Sequence, residues 1–502
     1  MEIITAQKMR DIDRFSIENI GIPSMVLMEN AALKVLKNID INVVNSFTII
    51  CGNGNNGGDG LALARHLIVL KKQVDIFIIG SEDTLSKDCE NNYKILCNMN
   101  VKVLFIKTVE DIEFIRKSME RKDIVIDAIF GTGLSRDIKG IHKEVIFSIN
   151  KINSYIISID IPSGLNSDTG EILGCCVKAN KTISFQFYKK GFLNYESFKY
   201  IGELIVENIG IPQSVTKNFF INDYLVEKNS VKSIIPIRTN YLHKGNFGRT
   251  SIVAGSVGFT GAAYIATQAA VRSGAGLVTL CCPEKIQDIL SNKLVEAMTL
   301  SFKDKEKLND ILKKSDSIAV GPGMGNNEGT LKILSNIIRY TNSPIVIDAD
   351  AINVLKDNLE MLKEKNNKIV LTPHVGEMSK ITGISIDTLN KNRIDIARQF
   401  AKEYDIIVLL KGYNTIITDG ITTMVNTTGN SAMASGGMGD CLTGIIAALM
   451  SQGLDAFEAA YVGAYIHGYS GDKLSKNKFC VNATDILEEI PFTLKELQGI
   501  TS

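Results

Sequence analysis

The segment CGNGNNGGDG at residues 51–60 is rich in glycine and asparagine and contains one aspartate. It directly follows the apolar residues 47–50. Glycines let backbone N–H groups approach an anion closely, and asparagines tolerate left-handed turns while offering amide oxygen and nitrogen atoms. In open parallel sheets, ligands bind beyond the carboxyl ends of strands, where loops meet helix N-termini. The segment therefore predicts contact with a phosphate or a ribose.

The same segment has two alternative interpretations. Gly52, Gly54 and Gly57 match the GxGxxG pattern of nicotinamide-dependent dehydrogenases. Those enzymes need an acidic residue at the end of the next strand, yet Asp75 stands near the start of the predicted strand 74–79. A dehydrogenase and a glycine-rich turn without a ligand both stay open on this segment alone.

Two further predicted strands are also followed by an aspartate and a loop that contains glycine. Asp127 leaves an apolar run in IVIDAIFGTGLSRD, and Asp160 leaves another in SIDIPSG. A single Asp after a strand is usually a helix cap, but three such ends predict one oxygen-rich pocket able to hold a cation and a sugar-phosphate.

A glycine cluster with an acid also opens an apolar helix in the C-terminal half, in SGGMGDCLTGIIAALM at residues 435–450. Free N–H groups and the helix dipole at residues 437–439 can stabilise a transferring phosphoryl group, while Asp440 can accept a proton from an attacking hydroxyl. The structural alternative is that the glycines permit close packing and that Asp440 caps the helix.

Four more loops support a ligand in this half. Their sequences are LTPHVGE at 371–377, KGYNT at 411–415, GPGMG at 321–325 and GSVGFTGA at 255–262. His374 in the first could equally be a structural histidine. Five such loops in one domain predict an extended ligand.

The elements that must position these residues alternate between short β-branched runs and helical patterns. After helices predicted at 5–20 and 24–39, strands are predicted at 47–50, 74–79, 101–106, 124–126 and 155–159. The alternation pauses at 213–238 and resumes with strands at 250–253, 277–281, 317–320, 345–347, 369–371, 406–410 and 415–418. Such alternation predicts two α/β domains, the first built on a parallel sheet covered on both faces and ending near Pro212.

The composition of the chain restricts the classes of partner and metal site that it could have. The 502 residues have zero net formal charge, so nothing indicates a nucleic-acid or anionic-membrane surface. Apolar stretches are of strand length, and nine scattered cysteines without a CxxC pair fit reduced thiols, which predicts a cytoplasmic protein. None of the five histidines lies four residues from another, so any metal should be held by oxygen.

The motifs GNGNNGGDGLALARHL, DAIFGTGLSRDIKG and SIDIPSGLNSDTG resemble the epimerase domain of the bifunctional NAD(P)H-hydrate repair enzymes. The resemblance implies a Rossmann-like α/β/α sandwich over residues 1–218 that interconverts R and S coenzymes hydrated at C6. By motif, Asn56, Asp127 and Ser163 would hold potassium, and Asp160 would be catalytic. The residues implied to bind the hydrated coenzyme are Asn55, Asn56, Gly57, Gly58, Asp59, Gly131, Thr132, Gly133, Leu134, Ser135, Arg136, Asp137 and Asp160.

The motifs HKGNFGR, GSVGFTGAA, GPGMG, DADAIN, TPHVGE, LKGYNT and SGGMGDCLTG resemble the ADP-dependent NAD(P)H-hydrate dehydratases. The resemblance implies a ribokinase-like α/β/α domain over residues 225–502, with Asp440 as the catalytic base. Residues implied to bind the S-form coenzyme are Ala262, Gly325, His374 and Asp440. Those implied to bind the AMP part of the nucleotide are Lys411, Gly412, Tyr413, Asn414, Thr415 and Gly439.

Together the two resemblances imply one repair function. NADHX and NADPHX would be epimerised, and the S form would be dehydrated while ADP is converted to AMP and phosphate, with Mg²⁺ offsetting phosphate charge. They also imply a homo-oligomer that binds neither nucleic acid nor membrane. The alternatives are a ribokinase-like small-molecule kinase with a regulatory N-terminal domain, and a first domain that only binds, as in RNA-associated scaffolds.

Overall fold

The chain is built on two large β-sheets in the computed structural model, which describes residues 1–499. Each sheet belongs to its own unit, the first spanning Met1–Ile221 and the second beginning at Asn222. All nine cysteines are free thiols. Within residues 1–499, every helix lacks the combination of length and apolarity needed to span a membrane.

Seven strands of the first unit form a wholly parallel sheet in the order β4-β3-β2-β5-β6-β7-β9. The other two, β1 and β8, pair in parallel as a separate small sheet. The bounds are β1 (Ile3–Ile4), β2 (Ser46–Cys51), β3 (Gln73–Ile79), β4 (Val103–Ile106), β5 (Ile124–Ala128), β6 (Tyr155–Ile159), β7 (Lys181–Phe185), β8 (Tyr188–Lys189) and β9 (Glu203–Glu207).

Helices cover both faces of this sheet. Successive strand residues point to opposite faces, so Ile49 packs in a core with α1 to α4 while Ile50 packs in a second core with α5 and α6. The result is the predicted α/β/α sandwich. The helices are α1 (Ala6–Glu18), α2 (Ser24–Lys37), α3 (Asn55–Val69), α4 (Lys87–Asn98), α5 (Ile112–Met119), α6 (Gly140–Ile149), α7 (Phe198–Ile201) and α8 (Gln213–Thr216).

The second unit contains a ten-stranded sheet in the order β10-β19-β18-β17-β16-β15-β14-β11-β12-β13. Only β18 runs against the others, since its pairings with β17 and β19 are antiparallel and the remaining pairings are parallel. The bounds are β10 (Asp223–Leu225), β11 (Arg249–Val253), β12 (Leu277–Cys282), β13 (Met298–Ser301), β14 (Ser317–Val320), β15 (Ile345–Ile347), β16 (Ile369–Leu371), β17 (Ile407–Leu410), β18 (Thr415–Thr418) and β19 (Thr423–Asn426).

Both faces of the second sheet are buried as well. Ile252 and Ala319 join a core formed with α10, α18, α19 and α20, and Val253 and Val320, which point to the opposite face, are also fully buried. The helices are α9 (Lys228–Lys232), α10 (Thr260–Arg272), α11 (Glu284–Ser291), α12 (Lys305–Lys314), α13 (Glu328–Tyr340), α14 (Asp350–Leu355), α15 (Val375–Thr382), α16 (Ile386–Lys391), α17 (Arg393–Tyr404), α18 (Met438–Ser451), α19 (Ala456–Ser475) and α20 (Ala483–Leu497).

Every strand predicted from the sequence is present, with ends shifted by at most a few residues, but seven short strands were not predicted. These are β1, β7, β8, β9, β10, β13 and β19. Strand β10 lies in the interval interpreted as a connection, and its three residues pair with β19, about 200 positions later in the chain. Such short strands are stabilised by the partner they pair with and leave little pattern in their own sequence.

Candidate active sites

A cavity of about 730 Å³ lies in the first unit beyond the carboxyl ends of β2, β5 and β6. It joins the three strand ends that the sequence singled out. Predicted residues on its wall are Asn55, Asn56, Asp59, Gly131, Thr132, Gly133, Leu134, Ser135, Arg136 and Asp160. Three others, Gly57, Gly58 and Asp137, lie outside the lining, as do Asp127 and Ser163 beneath it.

The glycine-rich segment is half loop and half helix, because α3 already begins at Asn55 with Gly54 as its N-cap. Glycines permit this: a Cβ on Gly57 would lie 2.0 Å from the Gly52 carbonyl oxygen, and one on Gly60 would lie 2.7 Å from the Cβ of Ala128. The helix can therefore start against the sheet. Its N-terminus points free amides into the cavity, where an anion is stabilised.

Of the residues predicted to hold a cation, Asn56 lies on the cavity wall, and Asp127 and Ser163 bond to each other beneath it. Asp127 is fully buried, and it accepts hydrogen bonds from the Ser163 hydroxyl at 2.5 Å and the Ser163 amide at 2.9 Å. Burial raises its pKa, although these bonds oppose the shift. The side-chain oxygen and nitrogen of Asn56 are buried without a partner among the described residues. An unpartnered amide oxygen beside a carboxylate and a hydroxyl suits a hard cation such as potassium.

Asp160 holds an uncommon backbone conformation at the end of β6, with φ of 64°. The Nζ atom of Lys189 lies 3.2 Å from its Oδ1 atom and donates a 2.7 Å hydrogen bond to the Phe185 carbonyl. Lys189 is only 1% exposed, and it lines the cavity together with Asp160. A buried lysine paired with the predicted catalytic acid is a feature that the sequence analysis missed.

Two more carboxyl groups face this pair. Burial raises the pKa of Asp13 to about 7, with Lys189 lowering it and Asp160 raising it. Burial also raises the pKa of Asp59, and the negative charges of Asp160, Asp13 and Asp88 add to the shift. Two acids on the cavity wall, Asp13 and Asp59, therefore have raised pKa values.

The second site lies beyond the carboxyl ends of β11, β14, β15, β16 and β17, which are adjacent in the sheet. At its base, Lys411 Nζ lies 2.7 Å from Oδ1 of Asp348, whose Oδ2 accepts a 2.7 Å hydrogen bond from the Thr443 hydroxyl. Burial opposes both charges, yet their mutual attraction lowers the pKa of Asp348 and raises that of Lys411. The pair is therefore ionised.

Asp440 stands in the first turn of α18, beside this pair. The helix N-cap is Gly437, and no side chain caps the helix, so the capping role considered for Asp440 is wrong. Among the described residues, no hydrogen bond or ion pair engages its carboxylate. Burial and Asp348 raise its pKa to about 6, while Lys411 opposes the shift. The group is an available base near neutral pH.

Gly439, next to Asp440, lies close to the ion pair of Lys411 and Asp348. A Cβ there would lie 3.2 Å from Lys411 Nζ and 3.6 Å from Asp348 Oδ2. A glycine at this position leaves space between the helix amides and the lysine. An anion could occupy that space because both the amides and the ammonium group favour negative charge.

His374 both caps a helix and remains open to solvent. It is the N-cap of α15, where its Nδ1 atom accepts hydrogen bonds from the amides of Gly376 and Glu377 at 3.0 and 3.3 Å. Its side chain is nevertheless 58% exposed. Because Nδ1 accepts, the neutral ring carries its proton on Nε2, which can donate to a ligand.

The loop predicted to hold AMP is held by a buried arginine. Arg393 donates to the carbonyl of Tyr413, and its Nη2 atom lies 3.0 Å from where a Cβ of Gly412 would stand. Burial lowers the pKa of Arg393 to about 10. Within the loop, Thr415 donates a 3.0 Å hydrogen bond to the Gly412 carbonyl, and Asn414 is buried in a left-handed conformation with φ of 54°.

The two remaining predicted residues lie on glycine loops. The amide of Gly325 donates a 2.8 Å hydrogen bond to Asp350. Ala262 lies at the start of α10, and its Cβ is 3.0 Å from the position that a Cβ on Gly323 would occupy. Within residues 1–499, no group of three His, Cys, Asp or Glu side chains could hold a metal ion.

Sequence reasoning missed Asp13, Lys189, Asp348 and Arg393. Asp348 could have been found, because it follows a strand in DADAIN as Asp127 and Asp160 follow theirs. Nothing in the local sequence distinguishes the other three from surface charges.

Comparison with known proteins gives a consistent match for each half. A family model described as NAD(P)H-hydrate dehydratase matches residues 250–492, and one described as YjeF-related protein N-terminus matches residues 24–191. The chain is 37% identical to the bifunctional NAD(P)H-hydrate repair enzyme of Moorella thermoacetica, covering 99% of this chain and 97% of that protein. It is 33% identical to the enzyme of that name from Thermofilum pendens, with the same coverage.

The structural match concerns the second unit. A ribokinase-like superfamily protein from Enterococcus faecalis superposes with a TM-score of 0.51 and 27% identity, covering 56% of this chain and 98% of that protein. The predicted ribokinase-like fold is thereby confirmed. Since both family models match and the relatives align over nearly their whole length, the chain belongs to the family of bifunctional NAD(P)H-hydrate repair enzymes.

Proposed function

We propose that this protein repairs hydrated nicotinamide coenzymes in two steps. The domain at residues 1–218 interconverts (R)- and (S)-NAD(P)HX, and the domain at 225–502 dehydrates the S form to NAD(P)H while ADP becomes AMP and phosphate. The observation that supports the second step most directly is the Asp440 carboxylate, which has no hydrogen-bond or ion-pair partner within residues 1–499 and stands next to the Gly439 amide and Lys411.

Dehydration needs help because hydroxide is a poor leaving group. Asp440 accepts the proton of the C6 hydroxyl as that oxygen attacks the terminal phosphoryl group of ADP, and AMP leaves. The amides at the start of α18 and the ammonium group of Lys411 stabilise the charge on the phosphoryl oxygens. The ring nitrogen lone pair then expels phosphate from C6, and loss of a proton from C5 to the departing phosphate restores the C5=C6 double bond.

The nucleotide and the coenzyme are held by separate loops in this proposal. Lys411, Gly412, Tyr413, Asn414, Thr415 and Gly439 bind the AMP part, and Ala262, Gly325, His374 and Asp440 bind the S form. The exposed Nε2 of His374 and the buried arginine behind the nucleotide loop support this division. Mg²⁺ supplies charge compensation on the phosphates when bound.

In the first domain, the hydrated coenzyme occupies the 730 Å³ cavity. Amides at the start of α3 and residues 131–137 bind its phosphates and ribose, and Asp160 handles a proton at the reactive ring. Asn56, Asp127 and Ser163 hold K⁺, which fixes the loops around the ligand electrostatically. The sequence resemblance further supports a cytoplasmic homo-oligomer.

The experiment is to incubate purified protein with mixed R and S hydrates, ADP and magnesium, and to follow the dihydronicotinamide absorbance. Complete conversion requires both activities, whereas a stop near half shows dehydration without epimerisation. A stable phosphorylated product without regained absorbance would instead support the small-molecule kinase.

Asp440→Asn provides the site-specific test, with Asp310→Asn as the matched control on an exposed helix face. We expect the first variant to lose dehydration while the second keeps it. A folded Asp440→Asn protein that dehydrates the S form at the original rate would remove Asp440 from the mechanism.

A further inference from the structure

Three ionisable side chains of the first cavity come from separate segments of the chain. Asp13 lies on α1, Asp160 directly follows β6, and Lys189 ends β8. The small sheet fixes them relative to each other, because β1 leads into α1 and its residue Ile4 pairs with Lys189. This pairing places the helix that bears Asp13 beside the lysine that binds Asp160.

Lys189 forms an ion pair with Asp160 and not with Asp13 among the described residues. Its Nζ atom lies 3.2 Å from Asp160 and is held by main-chain carbonyls of Phe185 and Phe187 at 2.7 and 3.4 Å. The same ammonium group lowers the pKa of Asp13 from a distance, but Asp13 has no ion-pair partner within the described chain. Lys189 therefore contacts Asp160 directly, whereas Asp13 is buried without such a partner, which favours its neutral acid.

The other charged groups near Asp13 do not reverse this division. The negative charge of Asp160 also favours a protonated Asp13, and Asp59, Asp88 and Arg10 lie on the cavity wall as well. Arg10 donates to Gln7 one turn earlier on α1. Burial outweighs Lys189, so the pKa of Asp13 is raised to about 7.

We propose that Asp13 is a second catalytic residue of R/S exchange, which supplies a proton while Asp160 accepts one, and that Lys189 is the positioning residue that assigns these opposite roles. The inference rests on the proposed epimerase function and adds the acid that the reaction needs. Inversion at C6 requires the hydroxyl to leave from one face of the ring and water to enter from the other, so a single carboxylate on one face cannot serve both proton transfers.

In this proposal, R/S exchange proceeds by loss of water from C6 and addition of another water. The C6–O bond breaks as Asp13 transfers its proton to the hydroxyl oxygen, water leaves, and the ring nitrogen lone pair forms a double bond to C6. Another water then adds to C6 from the opposite face and gives a proton to Asp160, and the electron pair returns to the ring nitrogen. Proton transfer from Asp160 to Asp13 through cavity water restores the starting state.

The test measures R/S exchange of the full-length protein without ADP between pH 6 and 9, using Asp13→Asn and the control Asp11→Asn on the same helix. We expect the wild-type rate to fall about tenfold per pH unit above 7, because Asp13 must hold a proton. Asp13→Asn should lower the rate at least about a hundredfold and abolish this limb of the profile. Asp11→Asn should keep both rate and limb.

Lys189→Met tests the positioning role against Lys199→Met, an exposed control. We expect only the first to shift the pH profile, with partial rescue by Lys189→Arg. Exchange in H₂¹⁸O should introduce one labelled oxygen at C6 per inversion.

The outcomes separate the two proposals. If the wild type exchanges R and S but Asp13→Asn matches it in rate and pH profile, the role of Asp13 is refuted and the epimerase function stands. If Asp13→Asn does not fold, a wild-type rate that stays constant from pH 7 to 9 refutes the role equally. A wild type that exchanges nothing at any pH refutes the epimerase function itself.

Discussion

Replacing Asp440 by Asn should make the second unit more stable while abolishing its chemistry. The carboxylate is half-buried, faces Asp348 and makes no hydrogen bond to the described residues. Its ionised form is therefore costly to the fold and useful only to the reaction. Asn has nearly the same shape and no charge, so the substitution removes the electrostatic cost without opening a cavity.

The magnitude follows from the pKa, which rises from 3.8 to about 6 on folding. Two units at 1.36 kcal/mol each correspond to roughly 3 kcal/mol of lost stability. Because the folded-state pKa is the higher one, the folded protein binds the proton more tightly. The penalty is absent below about pH 4, grows between pH 4 and 6, and is complete above pH 6.

The assay compares thermal unfolding of full-length wild type, Asp440→Asn and Asp310→Asn from pH 5 to 8. The transition of the second unit is identified by its upward shift with ADP. Asp440→Asn should unfold about 2 °C higher per kcal/mol gained, so roughly 6 °C higher at pH 7.5, and the gain should shrink toward pH 5. Its dehydration rate should fall by about two to four orders of magnitude.

Two results would refute this reasoning. A destabilised Asp440→Asn protein would mean that the carboxylate makes a structural contact. A wild-type dehydration rate that does not fall about tenfold per pH unit below 6 would mean that another group is the base.

The remaining predictions concern the packing and charges of both sites. Gly57→Ala should unfold the first unit at a markedly lower temperature than the control Gly54→Ala, since only the first Cβ meets backbone, at 2.0 Å, and the second has nothing within 4 Å. Lys411→Met should cost about 3–5 kcal/mol in chemical denaturation, because it leaves Asp348 buried and unpaired. Asn56→Leu should remove any dependence of R/S exchange on potassium, measured by replacing K⁺ with tetramethylammonium, because the unpartnered amide oxygen is lost.

The sequence predicted the two sheets and most of their strands because apolar runs alternate with helical patterns. It also located Asp160 and Asp440, since each follows a strand or opens a helix within a few residues of glycines. These signals are local, because a parallel sheet brings the carboxyl ends of its strands to one edge whatever the strand order.

Tertiary structure alone decided which charges meet. Lys411 pairs with Asp348 from 63 positions away, and Lys189 reaches Asp160 only because a two-residue strand joins the far N-terminus. The strand order and these pairings depend on packing between distant segments. The protonation of a buried carboxyl depends in turn on its neighbours, which is why Asp13 looked like a surface acid in the sequence and is a half-neutral group in the fold.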